Sequence, residues 1–162
     1  MKRRDISLLD MYVQPGHLIR RAHQAATAAF STATADLDLT PVQFSALIAI
    51  KDNPDIDATR VSEMIAFDRT TIGHVLTRLE RKKLITRRDG IVDKRTKLIR
   101  LTIKGESIIR EVSRRVDEIA EVILKPFSIN ERTTLLKLLT KFAAPSGGQI
   151  VEEPPASVSK RR

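Results

Sequence analysis

The 162-residue chain carries 29 Lys and Arg against 20 Asp and Glu, a formal net charge of +9, with 41% hydrophobic but only 4% aromatic residues. That size fits one domain with appendages around an aliphatic core, and the charge predicts an acidic partner, nucleic acid before an anionic membrane surface. With no cysteine, disulfides, thiol redox sensing, iron–sulfur clusters and thiolate zinc sites are excluded. No apolar run reaches the roughly 18–20 residues that span a bilayer, and the basic N-terminus lacks a signal-peptide core, so a cytoplasmic protein with no membrane partner is expected.

Residues 1–14 read as a loose arm with a short helical piece near residues 6–11. Pro15 suits the first turn of a helix, where its missing N–H costs nothing. From there to about residue 35 the chain is Ala-rich, and Leu18, Ile19, Ala22, Ala26, Ala29 and Phe30 form an apolar stripe. Such a stripe has little to bury within one subunit, which predicts packing against a second copy. Thr40-Pro41-Val42-Gln43 is a capping box with Pro at the first helical position. The helix it opens carries Phe44, Leu47 and Ile48 and ends by Asn53-Pro54. Asp57 caps a short helix with Val61, Met64 and Ile65, and Asp68 caps the next after only a few residues.

In Asp68 to Leu79, DRTTIGHVLTRL, the residues Ile72, Val75, Leu76 and Leu79 recur at i, i+3, i+4 and i+7 on one helix face. The other face presents Arg69, Thr70, Gly73, His74, Thr77 and Arg78, with no carboxylate. Long cations alternating with small hydroxyls suit phosphates, guanine edges and thymine methyls. Two short helices joined this tightly, the second cationic outside, read as a helix-turn-helix, though the turn lacks the frequent glycine. Strand-like residues 85–88 and 97–101 then flank a polar loop, making a β-hairpin wing. The cations Arg87, Arg88, Lys94, Arg95, Lys97 and Arg100 crowd there against Asp89 and Asp93. Charge runs are usually solvated faces, but this one coincides with a helix-turn-helix, which favours DNA.

Thr102 caps a long helix expected to run to about Leu124, where Pro126 stops it. Ile109, Val112, Val116, Ile119 and Ile123 alternate by three and four, the spacing of a coiled-coil seam. Ser128-Ile129-Asn130-Glu131 is a second capping box, opening a last helix with Leu135, Leu138, Leu139 and Phe142 in register. The Pro-, Gly- and Ser-rich remainder reads as a disordered tail. The expected fold is mainly α with a small β-hairpin: a winged helix-turn-helix DNA-binding lobe, residues 37–102, and a helical dimerisation region, residues 15–36 and 103–143, between the arm at 1–14 and the tail at 144–162.

The run DRTTIGHVLTRLERKKLITRRDGIVDKRTKLIRLTIKGE resembles the central signature of the MarR family of bacterial transcription regulators. LTPVQFSALIAI resembles the family's preceding helix and SINERTTLLKLLTKF its closing one. The resemblance implies that the Asp68 helix enters the major groove. It also implies that Asp93 and Arg95 are the wing pair, Arg95 reaching the minor groove. It implies an entwined homodimer, hence a palindromic double-stranded operator, and a small-molecule effector that weakens DNA binding, often an aromatic acid or phenol. The opening PGHLIRRAHQ resembles members controlling aromatic-compound catabolism, and repression is the family's commoner mode. The family usually has Gly after this helix where the chain has Lys83; a left-handed residue there costs about 1 kcal/mol.

The resulting DNA-binding candidates are Arg69, Thr70, Thr71, Gly73, His74, Thr77, Arg78, Arg88, Asp93, Lys94, Arg95 and Lys97. Effector candidates are His17, Arg20, His23 and Gln24: His17 and Gln24 lie three and four residues from Arg20, close enough to share a face. Arg offers a carboxylate a bidentate fork, while interface ion pairs are the plainer use of such a cluster. No metal or other cofactor is expected, since His17 and His23 face different ways and no thiolate exists. An enzyme is not expected either: the chain has no phosphate loop or nucleophile elbow, and Glu80, Asp89 and Asp93 lie among cations that favour their ionised forms. The alternative within DNA binding is an architectural protein that coats duplex without sequence choice, and competition by random duplex separates the two.

Overall fold

Most helices begin where a small polar residue satisfies the free backbone N–H groups of a first turn. The computed structural model describes residues 7–90 and 96–144, and the chain divides into two units, Met1–Ile123 and Leu124–Arg162. In the first unit, Ser7 caps α1 (Leu8–Tyr12), and Pro15 opens α2 (Pro15–Ala33). A 3-10 turn, Ala35–Leu37, not foreseen in the sequence, leads to α3 (Pro41–Asp52). There the expected capping box forms: Gln43 N–H donates to Thr40 Oγ1 and Thr40 N–H to Gln43 Oε1, both at 3.3 Å. Asp57 accepts from the N–H groups of Thr59 and Arg60 at the start of α4 (Ala58–Met64), and Asp68 from Thr71 at the start of α5 (Arg69–Arg81).

The missing turn glycine is replaced by strain. Ala66, between α4 and α5, adopts φ 54°, and Lys83, just past α5, adopts φ 60°. Lys83 N–H donates to Glu80 and Leu84 N–H to Leu79, closing α5 in the left-handed manner usually given to glycine.

Strands β1 (Ile85–Asp89) and β2 (Lys97–Leu101) pair antiparallel, Ile85 opposite Leu101. The hairpin reads one way from the lobe and another from solvent, because alternate residues face opposite sides. Ile85 and Ile99 are buried, whereas Thr86, Arg88 and Arg100 are exposed. A further antiparallel bridge joins Ile56 to Ile99, so the segment before α4 adds a third, minimal strand. One core holds these parts together. It contains Leu47 and Ile50 of α3, Val61 of α4, Ile72, Leu76 and Leu79 of α5, Ile85 and Ile99 of the hairpin, and Ile109 and Val112 beyond it. Full burial of each such aliphatic side chain contributes about 1.5–3 kcal/mol.

Thr102 caps α6 (Ile103–Ser113), accepting from Gly105 N–H, while its hydroxyl donates to Lys83 O at 2.7 Å. Gly105 is required by close approach: a Cβ there would stand 2.2 Å from the Leu84 carbonyl oxygen. The expected single long helix is interrupted. α6 stops at Ser113, and α7 (Val116–Leu124) begins after Arg114 and Arg115. Arg115 N–H bonds back only three residues, to Val112, and its guanidinium reaches Ala33 O at 2.8 Å, Asp36 at 2.6 and 2.9 Å, and Glu111 at 2.8 Å. A tightened turn there accompanies an ion-paired tie to the end of α2. Local periodicity carries no sign of it, because the partner Asp36 lies 79 residues away.

In the second unit, Ser128 and Glu131 exchange the expected cap contacts at the start of α8 (Ile129–Ala143): the Ser128 N–H and hydroxyl donate to Glu131 at 2.8 and 2.6 Å. No α8 residue is buried within the chain, and Leu136, Leu138, Leu139 and Phe142 are exposed. The tail expectation for residues 144–162 falls, beyond residue 144, outside the described residues. Among the described residues no helix is long and apolar enough to cross a membrane.

Candidate nucleic-acid interface

α5 is positioned by its buried stripe. Ile72, Leu76 and Leu79 are almost fully buried and Val75 nearly so, which fixes the rotation of the helix and turns Arg69, Thr70, His74, Thr77 and Arg78 outward, all exposed. Asp68 closes the N-terminal turn. It accepts the Thr71 N–H at 2.8 Å and hydroxyl at 2.5 Å, and these bonds hold its carboxyl below the ordinary carboxylate value. Thr71 is therefore engaged in the cap. Gly73 is half-buried, yet a Cβ built on it meets nothing within 4 Å, so packing inside the chain does not require glycine there. The Thr77 hydroxyl donates to Gly73 O at 2.9 Å and accepts from Arg87 at 3.4 Å, joining the helix to the base of the hairpin.

The hairpin cations are not equivalent. Arg88 is paired with Asp55, and Lys97 with Asp89. Asp93, Lys94 and Arg95, the expected wing tip, lie outside the described residues. The face of α5 and the hairpin base thus bring together Arg69, Thr70, Gly73, His74, Thr77 and Arg78, with Arg88 and Lys97 exposed but ion-paired beside them.

A cavity of about 590 Å³ opens at the edge of this face, lined by His23 and Thr27 of α2, Thr40, Pro41, Val42 and Gln43 at the start of α3, Phe67, and Thr71, His74, Val75 and Arg78 of α5. Of the four effector candidates, His23 lines it. The other three stand together on exposed α2 surface: Arg20 donates to Gln24 Oε1 at 3.2 Å and lies 3.4 Å from His17 Nδ1, whose ring packs edge-on to Tyr12. Sequence reasoning did not single out Phe67, Val42 or Gln43 as cavity residues. No one-dimensional pattern marks them, since the lining comes from three separate helices and a turn. No group of three or more His, Cys, Asp or Glu residues able to hold a metal occurs among the described residues.

The repressor NicR of Pseudomonas putida is 30% identical over 132 residues, spanning 82% of this chain and 84% of its own. The MarR family profile matches residues 37–96. The chain belongs to the MarR family. Its fold is that of the PcaV transcriptional regulator of Streptomyces coelicolor, solved in complex with its natural ligand, at 30% identity and a TM-score of 0.76, covering 85% of this chain and 97% of PcaV. BpsR of Bordetella bronchiseptica, whose DNA binding is regulated by 6-hydroxynicotinic acid, superposes with the same TM-score at 28% identity, covering 88% and 99%. This MarR-family chain is accordingly a winged-helix transcription regulator of repressor type, and the α4–α5 pair with its hairpin is the winged helix-turn-helix expected from the sequence.

Proposed function

We propose that this protein is a homodimeric repressor that binds a palindromic double-stranded operator in a sequence-specific way and is released by a small aromatic carboxylate or phenol. The observation that carries the DNA reading is the two-sided α5: an apolar stripe sunk in the core and an opposite face of arginines, hydroxyls and one glycine, whose one carboxylate, Glu80, is paired with Arg87 at 3.3 Å. Residues 37–102 are assigned to DNA, with α5 in the major groove, Asp93 and Arg95 at the wing tip and Lys94 alongside. Residues 15–36 and 103–143 are assigned to dimerisation. That assignment is supported by apolar side chains left uncovered in a single chain, Leu18 and Ile19 on α2 and Leu138, Leu139 and Phe142 on α8.

The cavity supports the effector reading, because one of its walls is the flank of α5 itself, from Thr71 to Arg78. His23, His74 and Arg78 supply polar or cationic edges, and Phe67, Val42 and Val75 an apolar body, the usual division in small-molecule sites. A ligand that prefers one setting of α5 over another weakens DNA by linkage, and DNA weakens the ligand equally. A hundredfold loss of operator affinity needs about 2.7 kcal/mol of such coupling.

Selection of bound sites from random duplex is the decisive experiment. A palindromic consensus that survives excess random competitor is expected, and binding that any duplex abolishes at equal mass would replace this reading with an architectural protein. On the selected site, Arg95→Ala should lose about 1–3 kcal/mol of binding. His23→Ala and Arg20→Ala, titrated with benzoates and hydroxynicotinates, then divide the effector role between the cavity and the His17–Arg20–Gln24 cluster: the variant that keeps operator affinity but loses release marks the site.

A further inference from the structure

Asp55 stands in the turn between α3 and α4 in a conformation that suits glycine, with φ 66°. It is nonetheless an aspartate, three-quarters buried at its side chain, and that carboxylate has two cations on it. Arg88 of β1 reaches it at 3.2 Å through Nε and 2.8 Å through Nη2. Arg100 of β2 grips it with a fork, Nε at 2.6 Å from Oδ1 and Nη2 on Oδ2. The Arg100 fork first, and Arg88 second, hold the Asp55 carboxyl below its ordinary range. The backbone repeats the tie: Asp55 N–H donates to Ile99 O at 3.1 Å, and Ile99 N–H to Ile56 O at 2.9 Å.

The register explains why a carboxylate is wanted there. Arg88 is opposite Leu98 and Arg100 is opposite Thr86, so the two arginines are diagonal neighbours on the outer face of the hairpin. Unpaired, they would repel one another and offer two long cations to any polyanion that approaches the wing.

We propose that Asp55 is a positioning residue that sets DNA specificity, withholding Arg88 and Arg100 from phosphates and pinning the hairpin to the lobe at one angle. This role rests on the double-stranded DNA binding proposed above. Cations on a wing attract every duplex alike, because phosphate contacts carry no base information. Neutralising two of them within the protein lowers affinity for random sequence without touching the contacts that read bases, so the ratio between operator and random duplex rises. The fixed angle acts in the same direction, since a wing that swings freely loses its register with α5.

Asp55→Gly and Asp55→Asn test this on the full-length protein. Glycine accepts φ 66° without strain, and asparagine tolerates the left-handed region while keeping the shape and losing the charge. Thermal midpoints of both variants are measured first: loss of the carboxylate lowers both, and relief of the left-handed backbone makes the fall smaller for glycine. Binding to the selected operator and to random duplex is then followed against salt. Each freed cation that reaches a phosphate adds about 0.9 to the slope of log affinity on log salt. Two of them make the variants' random-duplex binding fall about tenfold more than wild type's between roughly 50 and 200 mM salt. Tighter random-duplex binding at low salt and a smaller operator-to-random ratio are the expected results. Replacing Arg88 and Arg100 by Gln in the Asp55→Gly background should return the slope to the wild-type value.

An unchanged salt slope in both variants overturns the proposal and leaves Asp55 as a loop tie. A proportional loss on both duplexes with a lowered thermal midpoint also overturns it, as plain destabilisation. Should wild type bind no duplex at all, the DNA reading itself falls first, and this role with it.

Discussion

Gly73 and Lys83 are mismatched to their local conformations in opposite senses. Glycine inside a helix costs about 1 kcal/mol relative to alanine, and the space around Gly73 is open, so Gly73→Ala should raise stability by roughly 0.5–1 kcal/mol. If the open face meets DNA, the added methyl weakens operator binding while thermal stability rises, a combination that packing alone does not produce. Equal affinity of the Gly73→Ala protein for the selected operator would remove this part of α5 from the groove. Lys83, at φ 60°, is a long side chain where glycine is at ease. Lys83→Gly should stabilise by about 0.5–1 kcal/mol, read by chemical denaturation at unchanged m-value. Both residues stood out in the sequence, Gly73 by its place on a polar face and Lys83 by departure from the family pattern. Asp55 did not: Asn53-Pro54-Asp55 reads as a helix end, and nothing local announces that its carboxylate will meet arginines 33 and 45 residues away.

At the scale of elements, what was legible is what is local. The caps at Thr40, Asp57, Asp68, Thr102 and Ser128, the stripe of α5 and the two hairpin strands follow from spacing of a few residues, and the structure has them at those places. What was illegible depends on pairs far apart in sequence: the Ile56–Ile99 bridge, the cavity, and the break between α6 and α7. That break has a testable cause. Arg115 uses both arms of its guanidinium on Asp36, Glu111 and Ala33 O, a geometry that lysine's single ammonium cannot reproduce. Arg115→Lys and Asp36→Asn should each lower the thermal midpoint, and the double variant should lose clearly less than the sum of the two, because each single change already disables the same tie. Additive losses would mean that Arg115 and Asp36 act separately and that the break has another origin.

Over the whole molecule the excess of positive charge and the depressed carboxyls act together as the solution is acidified. Asp36 and Glu111 beside Arg115, Asp55 beside Arg100 and Arg88, Asp68 under the Thr71 cap bonds and Glu131 under those of Ser128 all titrate below their ordinary values of 3.8 for Asp and 4.5 for Glu. The sign follows from which state takes up protons first. In the unfolded chain these groups regain their ordinary values, so as pH falls through about 4.5 the unfolded state binds protons that the folded state still refuses. The stability these groups contribute is therefore fully present above that range and is lost progressively as pH falls toward their folded values. Arg100 and Arg115 are pushed further up by the same pairs and stay charged throughout, so protonating Asp36, Asp55 or Glu111 also leaves a cation less compensated in a chain already at +9. Thermal midpoints measured from about pH 8 to 3 should show no pH dependence from these carboxyls down to about pH 5 and a steepening fall below it. Asp36→Asn and Asp55→Asn, combined, should start lower on the plateau and fall less steeply, since their share of proton uptake is gone. A parallel acid limb in wild type and the double variant would show that these ion pairs form equally in the unfolded chain and contribute nothing to the folded one.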